Sequence, residues 1–157
     1  MEAFFRIALS VTMICALVSC KKQLPYEGKS LAELETMLRD ADPVIQAQGA
    51  LGLSRLGPEA AKAVPALIAA LKSSTPLVRQ NAALALARVG PDARPAVPAL
   101  IECLRDSEWT VRRQAVQALG AMGPQAAAAI PALQKSSKDP DTLVRKAADE
   151  ALKKIGR

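Results

Sequence analysis

Gly57-Pro58-Glu59-Ala60-Ala61-Lys62-Ala63-Val64-Pro65-Ala66-Leu67 is the stretch that decides the fold, because the chain writes it more than once. Gly90-Pro91 with Pro98-Ala99-Leu100, and then Gly123-Pro124 with Pro131-Ala132-Leu133, repeat its landmarks at a step of 33 residues, and Gly156 closes the series. Similarity at a fixed period of this length marks stacked supersecondary units. Such an array offers an extended recognition surface in place of an enclosed reaction chamber.

Aligning on that step gives four units, at about residues 30–57, 63–90, 96–123 and 129–156. In the second half of each, Ile45/Leu53/Leu56 correspond to Val78/Leu86/Val89, Val111/Leu119/Met122 and Val144/Leu152/Ile155. Spacings of eight and three put the three residues on one helical face. Small residues recur beside them at Gly49/Ala82/Ala115/Ala148 and Gly52/Ala85/Ala118/Ala151, where neighbouring helices can approach closely. The first half of each unit is a shorter helix: Leu31, Leu34 and Leu38 align with Val64, Leu67 and Leu71 and with Val97, Leu100 and Leu104. In the fourth unit Ser137 and Gln134 replace apolar residues, as a capping end requires.

Helix boundaries are punctuated. Asp42-Pro43 and Thr75-Pro76 place a capping oxygen before a proline at the first helical position, and the glycine ending each unit is suited to a left-handed stop. Pro65, Pro98 and Pro131 fit the first turn of the short helices. Gly49 and Gly52 together lower helix propensity by about 2 kcal/mol relative to Ala, which makes the first unit the expected place for fraying.

Composition agrees with an all-α fold. Half of the residues are apolar, mostly Ala and Leu, only 3% are aromatic, and β-branched runs are missing. The net charge of +6 is spread without the run of like charges that marks a nucleic-acid arm. There is no histidine, which removes the usual general base and the commonest metal ligand. The sequence carries no phosphate loop, paired-cysteine motif or metal-ligand cluster, so no cofactor is implied.

The N-terminus reads as an address. Ile7–Val18 is apolar, but twelve helical residues span roughly 18 Å against a hydrocarbon core of about 30 Å. It is a secretory h-region by length. Leu17-Val18-Ser19-Cys20 then resembles the lipobox of bacterial lipoproteins. That resemblance implies a signal peptide over residues 1–19, diacylation of Cys20 and a lipid-anchored chain; two or three acyl chains make a durable anchor. Lys21 differs from the Asp of an inner-membrane retention signal, which favours the outer membrane if the source has two. Residues 20–29 are the expected acylated cysteine and polar tether. With Cys15 removed and Cys20 acylated, Cys103 is alone and no disulfide is available.

Asp106 to Arg112 and Asp139 to Arg145 repeat the spacing Asp-x₅-Arg, within Thr110-Val111-Arg112-Arg113-Gln114-Ala115 and its counterpart Leu143-Val144-Arg145-Lys146-Ala147-Ala148. Together with the Gly-Pro joints and Pro-Ala-Leu starts, this resembles the HEAT-like repeats of the phycobilin-lyase type over residues 30–157. The resemblance implies a right-handed α–α superhelix of about four helix pairs, with the second helices lining a concave side, and a role in binding another protein. Some members of the type handle bilins and others act on nucleic acid. Ser73 in place of the Asp and Gln46 in place of the Arg leave the family's Asp–Arg ladder incomplete here.

Two readings attach to Arg79, Arg112 and Arg145: rungs of that ladder, or a row of guanidiniums presented to an acidic partner. Arg113, Lys146, Arg88 and Lys154 would widen such a basic strip. Trp109 occupies the turn position held by Pro43, Pro76 and Thr142, either packed locally or exposed as an interface anchor. Cys103 aligns with Ala70 and Ser136, as a small buried filler would. The functional expectation is a non-enzymatic, lipid-anchored scaffold or adaptor of the bacterial envelope, a monomer or part of an envelope complex, which binds a partner protein on its concave face, with Arg79, Arg112, Arg113, Arg145 and Trp109 as candidate contacts and an acidic partner as one option. The alternative is an envelope assembly or regulatory factor sensing an acidic ligand. A bilin-lyase-like enzyme or a nucleic-acid binder fits less well, since neither meets its substrate where a lipoprotein resides.

Overall fold

The computed structural model describes residues 24–156. Residues 1–19, Cys20 and the start of the expected tether lie outside the described residues. The described residues form eight α-helices alternating short and long: α1 Leu31–Leu38, α2 Pro43–Leu56, α3 Val64–Ala70, α4 Pro76–Val89, α5 Val97–Cys103, α6 Trp109–Met122, α7 Ile130–Ser136 and α8 Thr142–Ile155. The architecture is a right-handed α–α superhelix. The long helices stack in chain order, α2 on α4 on α6 on α8, and the short helices form a second layer behind them.

The Gly-Pro joints are more than punctuation. Gly57–Ala63, Gly90–Ala96 and Gly123–Ala129 are 3₁₀ segments, so each later unit carries three helical pieces. Ala60, Ala63, Ala93, Ala96, Ala126 and Ala129 are fully buried in them. The alanine-rich spacing between units is therefore a packed element, short because 3₁₀ geometry is unfavourable beyond a turn or two.

Most of the predicted core is buried, although Leu31, Ile45, Leu56 and Leu152 remain partly exposed. Leu34, Leu53, Leu67, Leu86, Leu100, Leu119 and Leu133 are inaccessible or nearly so, as are Val78, Val111 and Val144. Ser30 caps α1 with a full capping box, its hydroxyl accepting from the Glu33 N–H while Glu33 accepts from the Ser30 N–H. Asp42 caps α2 at 2.8 Å, and Asp141 caps α8 from one oxygen to two N–H groups. Thr75 does not cap α4 with its side chain; the Ser73 hydroxyl instead accepts the Thr75 N–H at 3.2 Å. Pro65, Pro98 and Pro131 sit in the first turns of α3, α5 and α7 as expected.

Gly57, Gly90 and Gly123 have φ of 57°, 76° and 57°, with ψ near −128° to −137°. This is the mirror image of the extended region and not the left-handed helix, a conformation that Gly alone takes without strain. Gly156 differs, with φ −83°.

The first unit is also more constrained than its glycines suggest. A Cβ on Gly49 would stand 2.7 Å from the Leu38 backbone nitrogen and 2.9 Å from the Leu34 carbonyl oxygen. One on Gly52 would meet the Cβ of Tyr26 at 2.9 Å. Tyr26 itself is buried in a turn over residues 25–28, with the Arg55 guanidinium 5.9 Å from its ring centroid. Within residues 24–29 Tyr26 alone is buried against the body, while Leu24, Pro25, Glu27 and Gly28 are exposed. At the other end, Gln134 is exposed, as are Asp149 and Lys153 at positions where Ala83 and Val116, and Gly120, are buried in inner units.

Candidate protein-docking face

The Asp–Arg ladder crosses between units. Arg79 in α4 donates from Nε and Nη2 to the two oxygens of Asp106 at 2.7 and 2.8 Å, and from Nη1 to the carbonyls of Ser73 and Ser74. Arg112 in α6 repeats this with Asp139 at 2.8 and 2.9 Å and with the carbonyls of Asp106 and Ser107. The Asp-x₅-Arg spacing therefore encodes two different contacts. Within a unit the arginine holds the carbonyl six residues back; across units it grips the next aspartate.

These pairs are nearly enclosed, with side-chain exposures of 14% and 9% for Arg79–Asp106 and 13% and 8% for Arg112–Asp139. Burial raises the Asp106 carboxyl, but hydrogen bonds from Arg79 and the Glu108 N–H outweigh it and leave the pKa below the usual range. The Arg112 hydrogen bond does the same for Asp139. Both arginines are pushed up in turn by their carboxylate partners. Arg145 reaches the carbonyls of Asp139 and Pro140 and the Thr142 hydroxyl, but pairs with no carboxylate among the described residues.

The first junction departs from the ladder at both ends. Gln46 keeps the within-unit contact, donating to the Asp40 carbonyl at 2.6 Å, but cannot cross to Ser73. A cavity of about 490 Å³ remains there, lined by Gln46, Lys72, Ser73 and Thr75 among others. The corresponding spaces beside Asp106 and Asp139 are about 220 and 380 Å³. Asn81 supplies a different tie, its amide donating to the Ala47 carbonyl of the preceding long helix at 3.0 Å.

A helix turns about 100° per residue, so Val44, Leu51 and Arg55 point within about 20° of one direction. Arg79, Arg112 and Arg145, two residues beyond the Val44 register, point roughly the opposite way, into the loops. The side chains facing out from the long helices are others. Val44, Leu77 and Leu143 are 60%, 53% and 44% exposed, with Thr110 completing their row, and Trp109 beside it is 38% exposed. Nearer the C-terminal ends Arg55, Arg88 and Lys154 are exposed in a common register, with Ala121 between them. An apolar edge and a basic edge therefore run parallel across four helices.

Among the predicted site residues, Trp109 and Arg113 come together on this face, with the Arg113 guanidinium 5.4 Å from the indole centroid. Arg79 and Arg112 do not join them, because their hydrogen bonds are spent inside the stack. The exposed row Val44/Leu77/Leu143 went unread in the sequence, although its 33-residue step was legible; isolated apolar residues near helix starts resemble core until the rotation of each helix is fixed.

Among the described residues no group of three or more His, Cys, Asp or Glu is placed to hold a metal ion. Burial raises the Cys103 thiol to about 11, which keeps it protonated and a poor nucleophile. No described helix is long and apolar enough to cross a membrane.

An α-solenoid with a repeated exposed helix face is a fold typical of protein-interaction scaffolds. The sequence matches HEAT repeats over residues 31–107 and 97–157, and the chain belongs to that family. Among solved structures it resembles an engineered protein from a structural genomics consortium, at 27% identity and a TM-score of 0.70, covering 80% of this chain and 62% of that one. A designed armadillo repeat protein in complex with the peptide (KR)4 shares the fold at 22% identity and TM-score 0.70, with 80% and 64% covered. The complex of CpcE and CpcF of phycocyanin lyase from Nostoc sp. PCC7120 matches at 24% identity and TM-score 0.60, with 87% and 70% covered. The chain spans less than two thirds of the length of the engineered protein and of the armadillo protein. No curated protein matches it.

Proposed function

We propose that this protein is a lipid-anchored, non-enzymatic scaffold or adaptor of the bacterial envelope that binds a partner protein across the exposed face of α2, α4, α6 and α8. The observation that carries the proposal is the row Val44, Leu77, Leu143 with Trp109: four of the five large apolar side chains exposed among the described residues belong to the first turns of the long helices. Apolar side chains left this exposed in register on one face add little to the packing of the described residues, and exposed apolar surface marks interaction sites. The parallel basic edge of Arg55, Arg88 and Lys154 favours an acidic partner. Anchoring rests on Leu17-Val18-Ser19-Cys20 after an apolar segment too short to span.

Two measurements test this. Tritiated palmitate labels the wild-type chain and not Cys20→Ala; an unlabelled wild-type chain contradicts the lipoprotein reading. Leu77→Asp with Leu143→Asp keeps the melting temperature and loses the partner that copurifies from detergent-extracted envelopes, whereas Lys62→Glu with Lys135→Glu on the opposite layer keeps it. Equal retention by both pairs contradicts the docking face.

A further inference from the structure

Between α6 and α8 the exposed face opens into a cleft of about 200 Å³, floored by Gly120, Ala147 and Ala151 and walled by Gln117, Glu150 and Lys154. Its openness has a local cause. The register of Ala147 holds Asn81 and Gln114 in the preceding units, and Asn81 reaches across its own junction to the Ala47 carbonyl. Ala147 is too short to reach the neighbouring helix, so this groove stays empty of side chains. Trp109 and the 44%-exposed Leu143 stand at the N-terminal end of the two helices that flank it. Spacing of four places Trp109, Arg113 and Gln117 on one face of α6, and Leu143 with Ala147 on the facing side of α8.

Arg113 is the unusual member. Among the described residues it donates no hydrogen bond, and its Nε is the one buried side-chain N or O atom there without a partner. Arg79 and Arg112, by contrast, are fully engaged with carboxylates and carbonyls. With the guanidinium 5.4 Å from the Trp109 ring centroid and its Nη groups unpaired among the described residues, Arg113 has two donors left for a planar carboxylate. Lys146 occupies the same register on the next helix and adds positive charge. The small-residue floor beside them suits an apolar side chain, and Glu150 in the wall is an acceptor for a peptide N–H.

Resting on the scaffold proposal above, we propose that this cleft is the specificity site of the docking face, and that its occupant is a linear segment of a partner protein in which a carboxylate side chain stands next to an apolar one. The carboxylate pairs with Arg113, and the apolar side chain covers Gly120 and Ala147.

The test uses the full-length chain in nonionic detergent and fluorescein-labelled hexapeptides alternating Glu with Leu, Gln with Leu and Lys with Leu, followed by fluorescence anisotropy. The Glu–Leu peptide binds about tenfold more tightly than the Gln–Leu peptide, and Arg113→Gln removes that difference without weakening the Gln–Leu peptide. Ala147→Met, which fills the cleft and keeps the cation, weakens both peptides, so the inference stays testable if Arg113→Gln folds poorly. Lys–Leu binding as tight as Glu–Leu, or a Glu–Leu preference that survives Arg113→Gln, overturns the inference. Arg113-dependent displacement of the Glu–Leu peptide by phosphatidylglycerol vesicles overturns it in favour of lipid. These failures leave the docking-face proposal to its own test with Leu77→Asp and Leu143→Asp.

Discussion

The Arg112 guanidinium fastens three parts of the chain at once: its own helix, the loop carbonyls of Asp106 and Ser107, and the Asp139 carboxylate of the next unit. Removing either partner leaves a nearly enclosed charge unmatched, so Arg112→Ala and Asp139→Ala each lower stability by about 3 kcal/mol in denaturant titrations. Charge reversal at Arg79 and Arg112 accordingly lowers the melting temperature. Because Asp106 and Asp139 have depressed pKa values in the folded chain, their stabilisation is complete above the ordinary carboxylate pKa near 4. It is lost as pH falls through the lower folded values. Acid titration of the melting temperature thus shows a fall below about pH 4 that is smaller in Asp139→Asn. The Cys103 thiol, raised to about 11, resists maleimide at pH 8 in the folded chain and reacts once the chain is unfolded. Of all this the sequence displays the Asp-x₅-Arg spacing, whereas the pairing of residues 27 apart appears only once the stacking of units is fixed.

At the scale of elements, periodicity located the described α-helices, because the first three long helices repeat one buried register through Leu53, Leu86 and Leu119 and the fourth keeps it, partly buried, at Leu152. Two features escaped it. The 3₁₀ segments lack a period of their own, and their alanines lie too close to the Pro-Ala-Leu starts to separate by pattern. Gly49 and Gly52 suggested a weak unit, but what they supply is close approach, to α1 and to Tyr26. Helix propensity favours Gly49→Ala by about 1 kcal/mol, while the contact at the Leu38 backbone opposes it. Overpacking of about 1–3 kcal/mol wins, since a backbone nitrogen and carbonyl cannot rotate away, and the variant melts lower than wild type. A rise in melting temperature would show that α1 can shift aside.

For the whole molecule, the arrangement separates holding from presenting. Carboxylate–guanidinium pairs and small residues bind the layers together, while the outward face of the long helices carries Val44, Leu77, Trp109 and Leu143 above a basic edge. The fourth unit exposes Gln134, Asp149 and Lys153, and in the first unit Tyr26 is buried with the Arg55 guanidinium 5.9 Å from its ring centroid. Fold class and core were legible because the 33-residue step aligns equivalent positions. The docking face was only half legible: Trp109 and Arg113 stood out by type, but Arg79 and Arg112 could be assigned to the interior only from their partners.

Lysine-directed crosslinking of the protein in intact cells, read by mass spectrometry, tests the central claim most directly, since exposed lysines mark both layers. Lys146, Lys153 and Lys154 lie on the last long helix; Lys62, Lys72 and Lys135 lie on the 3₁₀ and short-helix side. The account predicts that crosslinks to a single recurrent partner gather on Lys146 and Lys154 and fall away in Leu77→Asp with Leu143→Asp. Partner crosslinks concentrated on Lys62, Lys72 and Lys135, and unchanged by those substitutions, would contradict it.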